Sequence, residues 1–260
     1  MGGAILTGLL ASDAEPVGIT VTNRSADKAA QLASDRVVSL ATDVDPDANR
    51  TAVRGARIVL VAVKPAMVPD LLASIADALE PDALVVSVAA GVTVATMEAL
   101  VPQVVFRSMP NTPSVVGRGV TGLARGTRAS DEDAALVRSF FEAFGVVIEV
   151  GEDRINALST ISGSGPAYVF YLIEQLTATA RQLGFDAQQA RLMVEQTFLG
   201  ASELLAASDA DPAELRRRVT SPNGTTERAI EQLEAADLTD VFDRATAAAL
   251  ARAEEMAGGS

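Results

Sequence analysis

A chain of 260 residues, 48% of them hydrophobic, is long enough for one large domain or two modest ones around a core of ordinary size. Its 21 basic and 34 acidic residues give a net charge of −13, which excludes the basic footprint that a nucleic-acid partner needs. With no cysteine and no histidine, disulfide frameworks, zinc-type ligand sets, cysteine nucleophiles and histidine-dependent triads are excluded, so any chemistry falls to a cofactor, carboxylates, hydroxyls, Lys, Tyr or backbone groups. No apolar run reaches the ~18 residues of a membrane span. The start lacks the basic region and cleavage site of a signal peptide, so a cytoplasmic location is expected.

The chain opens on Met1-Gly2-Gly3, followed by a helical pattern from Ile5 to Leu10. Small residues there suit the end of a glycine turn that brings backbone close to a pyrophosphate at a helix N-terminus. Short β-branched runs then alternate with helical patterns. Strands are predicted at Val17 to Thr22, Val37 to Leu40, Ile58 to Val63, Leu84 to Val88, Val104 to Phe106 and Val146 to Val150, with a further one at Gly119 to Ala124. Helices are predicted at Ala26 to Ala33, Val68 to Leu79, Val94 to Leu100 and Glu132 to Phe144. This alternation predicts an α/β domain over residues 1–151, with a parallel sheet covered on both faces. From Asp153 onward strand signals vanish, and 152–260 read as all-helical. Helices are predicted at Asn156 to Ser162, Pro166 to Leu183, Ala187 to Ala207, Pro212 to Val219, Thr226 to Ala236 and Val241 to Met256.

Several stretches carry chemistry. Val21-Thr22-Asn23-Arg24-Ser25 ends the strand where this fold discriminates the ribose of a dinucleotide. An acidic residue there binds a free 2′-hydroxyl; Asn23-Arg24 instead matches a 2′-phosphate, with Arg24 as charge partner. Val61-Ala62-Val63-Lys64-Pro65 ends another strand at the carboxyl edge of the sheet, and Lys64 is one of few lysines in an arginine-using chain. Ser87-Val88-Ala89-Ala90-Gly91-Val92-Thr93 places small residues at a strand end, where a planar ring can lie against backbone. Arg107-Ser108-Met109-Pro110-Asn111-Thr112-Pro113 is a rigid loop with Asn and Thr donors. Ser162-Gly163-Ser164-Gly165-Pro166-Ala167-Tyr168 precedes a helix. Val219 to Glu227 joins two helices through Thr220-Ser221-Pro222-Asn223-Gly224-Thr225-Thr226, a loop able to wrap an anion with amides and hydroxyls. A plain turn with Thr226 as N-cap uses similar residues.

Together these ordered motifs closely resemble pyrroline-5-carboxylate reductase over essentially the whole chain. The resemblance implies a Rossmann-type domain, an all-helical dimerisation domain, and reduction of the cyclic imine 1-pyrroline-5-carboxylate to L-proline with NADPH or NADH. By matching position it places Met1, Gly2, Asn23, Arg24 and Asn49 on the pyrophosphate and adenosine side of the cofactor. Ala62, Val63, Lys64, Pro65, Ala89, Ala90 and Gly91 fall on the phosphate and nicotinamide side. Ser221, Gly224, Thr225 and Thr226 would hold the substrate, with Thr226 orienting the ring nitrogen as the catalytic residue, and Glu152 and Asp209 match positions near the substrate. A homodimer or larger homo-oligomer is expected, with neither metal nor membrane. Two departures from the family pattern stand out. Asn223 occupies a place where glycine is usual, and Asn tolerates left-handed backbone. The family also carries a strand and Gly-x-Gly-x ahead of Met1, so roughly ten residues, a central strand among them, are expected to be absent. A non-catalytic oligomeric relative and a reductase of other cyclic imines are the alternatives. A 3-hydroxyacid dehydrogenase is disfavoured because no lysine follows Lys64.

Overall fold

A computed structural model describes residues 1–14 and 16–258. The first part alternates as its sequence pattern requires: α1 (Gly2–Ala11), β1 (Ile19–Asn23), α2 (Ala26–Leu32), β2 (Val37–Ala41), α3 (Ala48–Val53), β3 (Ile58–Val61), α4 (Val68–Ile75), β4 (Leu84–Ser87), α5 (Val94–Glu98), β5 (Val104–Met109), β6 (Gly119–Arg125), α6 (Asp131–Glu142) and β7 (Gly145–Glu149). Helices follow: α7 (Glu152–Leu158), a π-helical turn at Ser159–Gly163, α8 (Gly165–Gln182), α9 (Ala187–Ala206), α10 (Pro212–Arg218), α11 (Thr225–Ala235) and α12 (Leu238–Gly258). No helix among the described residues is long and apolar enough to cross a membrane.

The strands form a five-stranded sheet ordered β3-β4-β5-β6-β7 and a separate parallel pair, β1-β2. The alternation of side chains across β4 explains the layering. Leu84 and Val86 point into a cluster with Ile5 and Leu9 of α1 and Val137 and Phe141 of α6, whereas Val85 faces Leu72 and Ile75 of α4 and Met97 of α5. All four residues of β4 are buried, as a central strand covered on both faces requires. Ile19 of β1 and Ile58 and Leu60 of β3 pack against the same cluster, yet the two strands share no ladder. In the 3-2-1-4-5-6 order of a doubly wound sheet, β2, β1, β3, β4 and β5 correspond to strands 3, 2, 4, 5 and 6.

The sheet is not wholly parallel, as the sequence pattern suggested. β6 runs antiparallel to β5, with Phe106 opposite Arg125. The connection between them holds only a short 3-10 turn, Thr112–Val116, and a parallel crossover needs a dozen or more residues. The helix α6 then supplies such a crossover, and β7 returns parallel to β6.

Met1–Ser164, with the chain from Ala249 on, form one compact unit; Gly165–Ala248 form another. The helical region begins at α7, which packs with the sheet: Ile155 is fully buried, and the Leu158 side chain lies directly over Gly122 of β6. In the second unit, α8 and α9 pair around Ala180, Ala190 and Val194, with Ile173 and Phe198 beside them. Asp186 caps α9 by accepting from Gln189 N–H at 2.8 Å, and Gly184 at φ +96° makes the preceding turn.

Candidate active site

In open α/β sheets, ligands bind outside the carboxyl ends of the strands. Strands β1, β3 and β4 end there in the three segments singled out by sequence. At the end of β1, the Asn23 carbonyl accepts the Thr42 N–H at 2.9 Å and the Arg24 carbonyl accepts the Asp43 N–H at 3.0 Å. These bonds fix the turn that presents Arg24, which is exposed. The Asn23 side-chain nitrogen is buried without a hydrogen-bond partner. Orphaned donors of this kind are rare in folded proteins. Asn49 lies half-buried in α3.

At the end of β3, Ala62 is exposed and Lys64 stands free at the surface before Pro65 turns the chain, with the Met67 N–H donating to the Lys64 carbonyl at 2.9 Å. The N-terminus of α1 meets this segment. A Cβ on Gly2 would lie 3.1 Å from the Ala62 Cβ, a tight contact that glycine avoids where helix and strand end approach. At the end of β4, the Ala89 N–H donates to Ser87 Oγ at 3.2 Å, and Gly91 takes φ +78°, where a side chain is strained. Met1, Gly2, Ala62 to Pro65 and Ala89 to Gly91 therefore stand at the ends of neighbouring layers of one unit. Small side chains, a helix N-terminus with unpaired N–H groups, an orphaned amide and an exposed arginine fit a phosphorylated dinucleotide.

The Met109 to Pro113 loop is not only a rigid elbow. Asn111 is 5% exposed; its side chain accepts the Val120 N–H at 2.8 Å and donates to the Ser162 carbonyl at 2.9 Å. It thereby ties β6 to the π-helical turn. That turn closes with the Ser164 N–H on the Ser159 carbonyl at 2.9 Å. Glu152 opens α7. Its Oε1 accepts the Val94 N–H at 2.7 Å and faces the Arg107 guanidinium at 3.4 Å.

In the second unit, the Ser221 to Thr226 loop turns at Asn223, whose φ is +59°, so the residue that departs from the family pattern holds the left-handed conformation expected of its glycine. The Asn223 N–H donates to Glu227 at 2.8 Å and the Gly224 N–H to the Ser221 carbonyl at 3.0 Å. A Cβ on Gly224 would lie 2.9 Å from the Ser221 carbonyl oxygen, a backbone contact that favours glycine there. The cap of α11 is Gly224, not Thr226: extended backbone at Gly224 starts the helix at Thr225, and Thr225 and Thr226 occupy its first turn. Their N–H groups have no intrahelical acceptor, and both side chains are exposed. Asp209 is exposed on the link between α9 and α10.

Residues 1–91 match the family described as NADP oxidoreductase, coenzyme F420-dependent, and residues 152–256 match pyrroline-5-carboxylate reductase dimerisation. The pyrroline-5-carboxylate reductase of Pseudomonas aeruginosa is 34% identical over 260 residues, which span 99% of this chain and 93% of that protein. That of Corynebacterium melassecola is 35% identical, over 98% of this chain and 95% of the relative. The chain belongs to the pyrroline-5-carboxylate reductase family.

The fold agrees with that membership. The pyrroline-5-carboxylate reductase structure from Coxiella burnetii superposes with a TM-score of 0.89 at 39% identity, covering 98% of this chain and 94% of the other. The Plasmodium falciparum pyrroline carboxylate reductase, solved with NADP bound, gives 0.82 at 25% identity over 99% and 94%. Sequence motifs singled out the segments at the ends of β1, β3 and β4 and the loop before α11. They missed Arg107, Asn111 and Asn156 as structural partners. The only signal was an arginine inside an apolar strand, whose side chain must find distant partners if buried. Among the described residues no group of three or more Asp, Glu, His or Cys is arranged to hold a metal.

Proposed function

We propose that this protein reduces 1-pyrroline-5-carboxylate to L-proline, the last step of proline biosynthesis, with NADPH as the preferred donor and NADH as a weaker one. The observation that carries the reading is the conjunction of the family match with a strand-end layout fitted to a 2′-phosphorylated dinucleotide. The bound cofactor supplies a hydride. The Arg24 guanidinium neutralises the 2′-phosphate, with Asn23 and Asn49 beside it on the adenosine side. The free N–H groups at the start of α1, with Met1, Gly2 and Ala62 to Pro65, hold the phosphates, and Ala89 to Gly91 give the flat ring a surface without side-chain bulk. In the anion loop, Ser221, Gly224 and Thr225 bind the substrate carboxylate, and Thr226 orients the ring nitrogen. A protonated cyclic imine is already electrophilic at carbon, so positioning suffices and the missing histidine costs nothing.

The protein acts as a homodimer or a larger homo-oligomer. Support comes from the second unit, which buries little within itself while Phe170, Tyr171, Leu176, Leu192 and Leu199 stay exposed on α8 and α9. Apolar surface of that extent marks an interface. A cytoplasmic setting accords with the cysteine-free composition. A substrate panel tests the reading. Turnover of 1-pyrroline-5-carboxylate at least about tenfold more efficient than that of six-membered cyclic imines or 3-hydroxyacids supports it; the reverse order assigns a different reductase.

A further inference from the structure

We propose that Glu152, Arg107 and Asn156 form a positioning clasp that fixes the turn from Ala89 to Val94 to the first helix of the helical region, and that Glu152 acts on hydride transfer through this clasp rather than by touching the substrate. The proposal rests on the reductase reading for its kinetic consequence only.

Arg107 sits on β5 and is 3% exposed. A buried guanidinium must be paired, because the cost of desolvating an isolated charge is prohibitive. Its partners both come from α7: the Asn156 side-chain oxygen at 2.7 Å and Glu152 Oε1 at 3.4 Å. The Arg107 Nε is buried with no partner, so the guanidinium depends wholly on these two contacts. The same Glu152 oxygen accepts the Val94 N–H at 2.7 Å. Val94 opens α5, and its N–H is one of the first-turn donors that the helix itself cannot satisfy.

The turn is thus held at both ends. At its start, Ser108 Oγ donates to the Ser87 carbonyl at 3.0 Å and the Val88 N–H to the Val61 carbonyl at 3.1 Å. At its end, the Glu152 carboxylate is the anchor. Between the anchors lies Gly91 with its left-handed backbone. This stretch offers the flat ring its backbone surface, and the second anchor belongs to α7, the first helix of the helical region. Small displacements of a reacting pair cost rate steeply.

The test uses the full chain as Glu152→Ala and Glu152→Gln, with three readouts: amide hydrogen exchange without cofactor, affinity for 2′,5′-ADP as an adenosine-side fragment, and steady-state kinetics. Glu152→Ala removes the acceptor of Val94 and the charge partner of Arg107. Exchange over 89–94 should rise about tenfold and kcat fall about tenfold, with the fragment Kd within about twofold of wild type. Glu152→Gln keeps an oxygen for Val94 and should restore most of the exchange protection and part of kcat. Unchanged exchange over 89–94 in both variants overturns the clasp. Faster exchange with unchanged kcat overturns its role in positioning. A parallel loss of kcat, fragment affinity and protection across the whole sheet unit overturns it in favour of plain structural support. If Glu152→Ala does not fold, Glu152→Asp, whose carboxylate is one methylene too short to reach the Val94 N–H and Arg107 together, takes its place and is held to the outcomes expected of Glu152→Ala. If the wild type reduces no imine, the proposed activity fails, while the exchange readout still decides the clasp.

Discussion

Replacing Gly8 by alanine tests the packing that seats α1, the helix whose first residues reach the candidate phosphate site. Gly8 is buried in mid-helix. A Cβ there would run into the Ser114 carbonyl oxygen and stand 2.9 Å from the Phe144 Cβ. Neither obstacle is a flexible side-chain tip. Ser114 is fully buried and its carbonyl accepts the Gly117 N–H at 3.1 Å, so moving it strains a turn hydrogen bond. Alanine gains about 1 kcal/mol over glycine in helix propensity. Overpacking of this kind costs roughly 1–3 kcal/mol, and the disturbed hydrogen bond adds about 1 kcal/mol. The net loss is about 2 kcal/mol, which for a domain of this size lowers Tm by roughly 4–8 °C. Gly3, on the same helix, has nothing within 4 Å of its Cβ position, so Gly3→Ala should leave Tm unchanged or slightly raised. Thermal melts of the two variants against wild type decide the matter. A Gly8→Ala protein that melts at or above the wild-type temperature refutes the packing argument.

Arg24→Gln should lower kcat/KM with NADPH by about tenfold or more while leaving that with NADH nearly unchanged, because one charge-assisted contact to a 2′-phosphate is worth roughly 1.5–3 kcal/mol; steady-state kinetics with both donors read this directly. Glu149 bonds Arg125 and also Arg138 at 2.8 Å, and the Arg125 hydrogen bond first of all holds its carboxyl below the usual 4.5. A lowered folded pKa means that this stabilisation is complete above the unfolded value and lost as pH falls through the folded one. The Tm gap between wild type and Glu149→Gln should therefore be full near neutrality and close as the pH drops below about 4. Phe170 is 66% exposed on α8, and Phe170→Glu should shift the solution mass toward the monomer in light scattering, with the far-ultraviolet spectrum preserved.

Much of the fold was legible because it is carried by period. Apolar runs of β-branched residues marked β3 and β4, and proline at the start of α10 and glycine after α8 marked helix ends. What escaped has physical causes. The helix α3, with the sequence ANRTAV, is too short and polar to show a stripe. The predicted end of β5 at Phe106 fell three residues early, because Arg107 and Ser108 read as polar although both are buried. Their partners lie on other elements: Asn156 for Arg107 and the Ser87 carbonyl for Ser108. The π-helical turn at Ser159–Gly163 depends on a shift in hydrogen-bond register that no side-chain pattern encodes. The candidate site divides the same way. Glycines, prolines and the Asn23-Arg24 pair announce themselves locally, since each answers a backbone or charge demand at its own position. The place of Glu152 depends on Val94 and Arg107, which only the folded chain brings to it.

The central claim is that hydride passes to the imine carbon of 1-pyrroline-5-carboxylate, and isotope transfer tests it most directly. With NADPH carrying deuterium at the transferable C4 position, the account predicts L-proline with one deuterium on C5, formed in step with NADPH consumption. NADPH consumed without proline, or proline formed without the label, would contradict it.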